Sequence, residues 1–281
     1  MNGVRAPRPL GINTYGFIWT TPAADCLRQL GALGYAEFEL VLNPPHLSFE
    51  AGRDERAQLR ALREQGLRVR GLNLPSLDTN LASPLARMRA YSVGLFRDAI
   101  DLAADLGAEY LVTVPGRMNP LLAPAPAQRR QWLHESLREL IPHAQARGVR
   151  LALENVPFAA LPDAAALGAF VRELATPAVS ICYDAANAHF IGESPAEGLR
   201  QLAALVEVVH LSDTTRQAWR HDEVGQGDVP FGATLAALDE IAFDGICMME
   251  IIHPQPEAGI VRSHERLARL GWAPRKAESP A

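Results

Sequence analysis

Short apolar runs alternate with longer amphipathic stretches along this chain. The apolar runs predict eight strands: Leu10–Asn13, Ala36–Leu40, Arg68–Asn73, Glu109–Val114, Val149–Glu154, Val179–Asp184, Val206–Leu211 and Gly245–Ile251. Several carry Val, Ile and Leu on both faces, the pattern of parallel strands buried on two sides. Between them, apolar positions at helical spacing predict helices over Ala23–Leu33, Arg53–Gln65, Met88–Leu106, Gln128–Arg147, Ala164–Leu174, Ala196–Leu205, Ala233–Ile241 and Ala258–Leu270. Gly34, Gly66, Gly107 and Gly148 stand where a helix must stop before a strand resumes, as in AQARG-VRLALEN. Eight such crossover units without a long linker predict an α/β protein, a single closed (β/α)8 TIM barrel over residues 1–272. The polar remainder, 273–281, is expected to be a disordered tail. A length of 281 residues suits one barrel of this kind. No G-x-G-x-x-G follows the first strand, which counts against a dinucleotide fold.

Composition narrows the function. A net charge of −5 argues against a nucleic-acid partner, which calls for a basic face. Cys26, Cys182 and Cys247 are odd in number and widely spaced, so they suggest neither a disulfide framework nor a zinc ribbon, but reduced buried side chains. The start MNGVRAPRPLG has no apolar core of a secretion signal, and no later stretch is long and apolar enough to span a membrane. A cytoplasmic protein with no membrane partner is expected. The single lysine, Lys276, sits in the tail, where it cannot supply the desolvated amine of a Schiff-base mechanism.

The chemistry gathers at the ends of the last four predicted strands. LALENVP supplies Glu154, ICYDAANAH supplies Asp184, VVHLSD supplies His210 and MMEIIHP supplies Glu250. Barrel geometry points such residues at a common mouth. A lone acid at a strand end is as readily a helix cap or salt-bridge partner. A ligand-type residue on all four strands is harder to explain that way, and burying three acids without a cation is costly. Three carboxylates and one imidazole suit a single divalent ion, Mn²⁺, Mg²⁺, Co²⁺ or Zn²⁺, with positions left for substrate oxygens.

The motifs LALENVP, YDAANAH, VVHLSDT, VGQGDVPF and DGICMMEI, with LGINTYGF and YAEFEL at the first two strands, resemble the xylose isomerase-like barrel superfamily. Within it, the sugar-phosphate isomerase/epimerase group, ketose 3-epimerases included, is the nearest in pattern. The resemblance implies that Glu154, Asp184, His210 and Glu250 are the metal ligands and that Glu154 and Glu250 also act as catalytic acid and base. It implies proton abstraction beside a carbonyl through a metal-stabilised ene-diolate, on a sugar, sugar phosphate or related α-hydroxy-carbonyl compound. A dehydratase of keto-inositol or dehydroshikimate type uses the same acidic carbon and stays open as the alternative. An AP endonuclease of the superfamily would need more histidines and a basic face, and a non-catalytic sugar-binding barrel would not need four intact ligand positions. One departure stands out: such epimerases often carry histidine three residues after the aspartate, where this chain has Asn187, with His189 beyond it.

Further candidates surround this set. Glu39 ends the second strand, where the resemblance implies an acid that orients substrate or the ligand histidine. Asp213 is placed by sequence to orient His210, unless it caps a helix. Two long connections, Pro115–Ala127 and Ser212–Gly232, follow the fourth and seventh strands, at the end of the barrel where active sites form. In the second, Arg216, Arg220 and His221 precede Gly225-x-Gly227, a set suited to a phosphate, a carboxylate or a polyhydroxylated substrate, unless it is merely solvated. Tyr15, Phe17 and Trp19 after the first strand suit a sugar face or a core cap, and Asn13, Asn73 and His253 are strand-end polar groups of open role. His46 reads as a loop residue, His134 and His143 as surface residues of a helix. The expected partner is a small polyhydroxylated molecule, with a homo-oligomer left open.

Overall fold

The computed structural model describes residues 10–272. Eight parallel strands close into a barrel: β1 (Leu10–Asn13), β2 (Glu37–Val41), β3 (Arg68–Leu74), β4 (Tyr110–Thr113), β5 (Arg150–Glu154), β6 (Val179–Asp184), β7 (Val206–Leu211) and β10 (Ile246–Met249). Each strand pairs with its neighbour in sequence order, and β1 closes the ring against β10. The helices α1 (Ala23–Ala32), α2 (Arg53–Glu64), α3 (Ala86–Leu106), α4 (Pro126–Arg147), α5 (Ala164–Leu174), α7 (Pro195–Leu202), α8 (Phe231–Glu240) and α9 (Pro256–Arg269) alternate with the strands. The expected single barrel is therefore the observed fold. The tail 273–281, with Lys276, lies outside the described residues.

Period-two alternation sorts the strand side chains into two layers. Tyr110, Val112, Ala152, Cys182, Val208, Ile246 and Met248 fill the barrel interior, while a larger apolar cluster lies between strands and helices. The interior is tight: a Cβ on Gly71 would fall 2.1 Å from Cε2 of Tyr110, so only glycine leaves room for that ring. At the N-terminal face the interior closes on ion pairs, Arg70 Nε to Glu109 Oε1 at 2.9 Å and Arg150 Nε to Glu207 Oε1 at 2.7 Å. The opposite face is left for the site.

Two elements there were not expected. A short helix α6 (Ala185–Phe190) follows β6 without a break, and a hairpin of β8 (Asp213–Thr215) and β9 (Ala218–Asp222) occupies the connection after β7. No helix among the described residues is long and apolar enough to cross a membrane. All three cysteines are buried, and none forms a disulfide among the described residues.

Candidate metal centre and active site

Glu154 and Asp184 are the last residues of β5 and β6, His210 is the penultimate residue of β7, and Glu250 follows β10 directly. The parallel register sets Asp184 level with His210 and His210 level with Met248. Alternation then turns the four side chains toward the barrel axis. One ligand atom from each lies within 4.8 Å of the others. His210 Nδ1 stands 3.2 Å from Glu250 Oε2, 3.4 Å from Glu154 Oε1 and 4.0 Å from Asp184 Oδ2. All four residues are buried.

The donor atoms form a group that could hold a cation. His210 Nδ1, Asp184 Oδ2 and Glu250 Oε2 are buried without a hydrogen-bond partner. Buried polar atoms are normally paired, and three orphaned ones from different strands facing one another call for a shared positive partner. Hard carboxylate oxygens with one imidazole nitrogen fit a divalent ion that keeps open positions. Burial pushes the Asp184 carboxyl up to about 6, with the charge of Glu250 adding to the effect. Burial also raises Glu154, and the nearby Asp184 adds to it while His210 pulls it back. Cys182 lies close to Glu154 and His210, but burial holds its thiol far above the usual range, so it is a neutral filler there.

A second set of residues holds the four in place. Glu39 is fully buried beside the other nitrogen of His210, with Nε2 3.0 Å from Glu39 Oε1. Asn13 donates to the same carboxylate at 2.6 Å and Asn73 at 3.3 Å. With Nε2–H committed to Glu39, Nδ1 is left with its lone pair toward the acids. Glu39→Gln is therefore expected to weaken Mn²⁺ binding about 10- to 100-fold, measured by calorimetric titration. Asp184 has divided duties: Oδ1 accepts from the backbone N–H of Asn187 at 2.6 Å and caps α6, while Oδ2 faces the site. Asn155 clamps the same backbone, accepting from Asp184 N at 2.7 Å and donating to Asp184 O at 2.9 Å. Sequence reasoning passed over Asn155, although it adjoins Glu154 in LALENVP.

A cavity of about 400 Å³ opens over the three acids and the imidazole, lined by Glu154, Glu250, Tyr15, Asn187, Arg220 and His221 among others. His221 comes closest to the centre, its Nδ1 3.3 Å from Glu250 Oε2 and 3.0 Å from Ser212 Oγ. Arg220 projects from the hairpin with its side chain mostly exposed, 3.8 Å from Asp222. Burial raises the Tyr15 hydroxyl, and the charges of Glu250 and Glu154 push it further up.

Other expectations need correction. Arg216 sits at the exposed turn between β8 and β9 and is not among the cavity-lining residues, because the hairpin carries the chain outward before returning it at His221. Asp213 does not hold His210; it accepts from the backbone of Thr214, Gly225 and Val229 and ties down the loop after the hairpin. That loop passes so close that a Cβ on Gly227 would lie 2.1 Å from the Thr214 carbonyl. His46 is no loop ornament: it is fully buried, with Nε2 2.9 Å from Thr14 Oγ1 and Nδ1 against the Thr21 carbonyl. His189 pairs with Asp228 at 2.7 Å, His253 bonds locally to Gln255, Phe17 is core and Trp19 is exposed. His134 and His143 are partly exposed on α4, as expected of surface residues, where His134 packs edge-on against Phe170 and His143 pairs with Asp101.

Fold and side chains together define a barrel with a carboxylate-rich group at the C-terminal ends of its strands that could hold a cation. The family model described as xylose isomerase-like TIM barrel matches residues 27–270, and the chain belongs to that family. An uncharacterized protein of Methanocaldococcus jannaschii, MJ1311, is 28% identical over 187 residues, 64% of this chain and 63% of its own length. The chain thus spans under two thirds of that relative. A crystal structure of a D-tagatose 3-epimerase-like protein superposes with a TM-score of 0.82 at 23% identity, covering 93% of this chain and 96% of its own. The IOLI protein, crystallised with a bound zinc atom, superposes with a TM-score of 0.79 at 19% identity, covering 97% and 100%.

Proposed function

We propose that the protein is a divalent-metal-dependent isomerase or epimerase of a sugar or related α-hydroxy-carbonyl compound. The observation that carries the reading is the cluster of four buried ligand atoms, one from each of four successive strand ends, three of them without a hydrogen-bond partner. Glu154, Asp184, His210 and Glu250 would hold the ion. When bound, it supplies positive charge opposite a carbonyl and its neighbouring hydroxyl, which acidifies the carbon between them.

The chain's own groups then divide the work. Glu154 and Glu250 both line the cavity and stand on opposite sides of His210 in the barrel order, Glu154 at the end of β5 beyond β6 and Glu250 just after β10, so a substrate over the centre meets a carboxylate from each side. One takes the proton from carbon and the other returns it, to the same carbon in an epimerase or to its neighbour in an isomerase. Burial raises Glu154, which favours its holding a proton between the two steps. Asn187 stands where epimerases of the resembled group often carry histidine, and an amide cannot carry that proton. Proton transfer at carbon is thus left to the two glutamates. The structural relatives, one a 3-epimerase-like protein and one with bound zinc, support a sugar substrate and a metal.

The test is a panel of ketoses and keto-cyclitols incubated in D₂O with the Mn²⁺-loaded protein. Deuterium washing into recovered substrate and its isomer is the expected result. Loss of water from the product would mark a dehydratase instead, and full activity after chelation would overturn the reading.

A further inference from the structure

Three aromatic side chains from successive loops gather at one side of the cavity. Phe158 follows β5, Phe190 ends α6 and Trp219 lies on β9. The Trp219 ring stacks on Phe190 at 6.3 Å and 25°, and Phe158 meets it edge-on at 6.2 Å and 72°. Of the three, Trp219 lines the cavity. Its indole Nε1–H bonds Asn187 Oδ1 at 2.7 Å.

That bond has a polarity that chemistry dictates. An indole N–H only donates, so the amide atom facing it must be the carbonyl oxygen. The other end of the amide, Nδ2, is left with two protons to donate. Among the described residues no acceptor takes them, and Asn187 lines the cavity while being almost wholly buried. The backbone of Asn187 is fixed as well, because its N–H is the one that Asp184 caps. A donor of set direction therefore stands one helical turn from a candidate metal ligand.

We propose that Trp219 is a positioning residue that locks the Asn187 amide, so that the site presents a hydrogen-bond donor there and selects substrates that place a carbonyl or other acceptor oxygen against it. The identity of the substrate rests on the isomerase/epimerase reading; the lock does not. With the lock broken, the amide is free to turn its carbonyl into the cavity, where it repels an acceptor oxygen. A side chain that does no more than fill the stack would have no such effect on amide direction.

Two measurements test this on the full chain. The first follows hydrogen–deuterium exchange of the Trp219 indole N–H by ¹⁵N NMR of the Mg²⁺-loaded protein. Exchange should quicken about fivefold or more in Asn187→Ala and stay slow in Asn187→Asp, which keeps an acceptor. The second uses the ketose that the panel identifies. Trp219→Phe, which keeps an aromatic ring and removes the donor, should raise KM about fivefold with kcat within about twofold. Asn187→Asp, which puts an oxygen where the NH₂ stood, should raise KM further. Calorimetric titration should show unchanged Mn²⁺ binding in Trp219→Phe. Equal indole exchange in the wild type and Asn187→Ala overturns the lock, and an unchanged KM in Trp219→Phe overturns the selection. Should no ketose be turned over, the proposed reaction fails, while indole exchange still decides the lock.

Discussion

Glu154→Gln is expected to lower kcat by at least about 10³-fold on any substrate that the wild type turns over. Loss of one general acid or base ordinarily removes about 10²–10⁴-fold. Here the same oxygen also belongs to the ligand cluster, 3.4 Å from His210 Nδ1. Glutamine keeps the shape and one oxygen but cannot accept a proton from carbon, and it removes one negative charge from the cation site. The two losses are separable by experiment. Stopped-flow or steady-state assays of Glu154→Gln at saturating Mn²⁺ report the proton-transfer defect, while calorimetry reports the ligand defect. Activity within tenfold of the wild type at saturating metal would show that Glu154 is not the acid or base. Glu250→Gln should behave alike, since Glu250 Oε2 is the other acid close to His210 Nδ1.

The barrel was legible because its signals are local. Val179–Asp184 and Val206–Leu211 read as strands to the residue, and their Val and Ile side chains favour extended backbone. Gly107 and Gly148, both left-handed C-caps, stop their helices where the sequence says they should. The cluster of Glu154, Asp184, His210 and Glu250 was visible for the same reason: once strand ends are known, the barrel brings them together whatever the sequence distance.

What was missed depends on contacts the chain makes far from home. α6 is too short for helical periodicity to register, and its cap, Asp184, reads equally as a ligand-type strand end. The hairpin in DTTRQAWRHD lacks the Asn-Gly or Asp-Gly turn that announces one. It alone removes Arg216 from the cavity and brings His221 into it. Asp213 is close to His210 in sequence but does not reach it; Glu39, 171 positions away and the acid that the family resemblance implies there, does. Trp219 gave no signal, since its importance lies in a bond to Asn187 across 32 positions.

Metal should transform the stability of this protein, and in a pH-dependent way. Three acids and an imidazole with orphaned atoms make the metal-free centre unfavourable, so binding to the folded state alone stabilises it by RT ln(1 + [M]/Kd), about 2.7 kcal/mol at a hundredfold excess over Kd. For a domain of this size that is a rise in Tm of about 5–10 °C. Proton competition sets the sign of the pH effect. Asp184 has its folded pKa raised from 3.8 to about 6, so in the metal-free protein it contributes stability that is present below 3.8 and lost as pH rises through about 6. Glu154 is shifted in the same direction. The metal needs the deprotonated forms, so its contribution grows over that same interval. Scanning calorimetry with and without Mn²⁺ should show a small metal-induced rise in Tm at pH 5 and a much larger one at pH 7.5. Asp184→Ala should lose most of that rise at both, with Asp184→Asn separating loss of charge from damage to the α6 cap, because its side-chain oxygen still accepts from Asn187 N. A Tm indifferent to Mn²⁺ at pH 7.5 would mean that these four side chains hold no divalent ion.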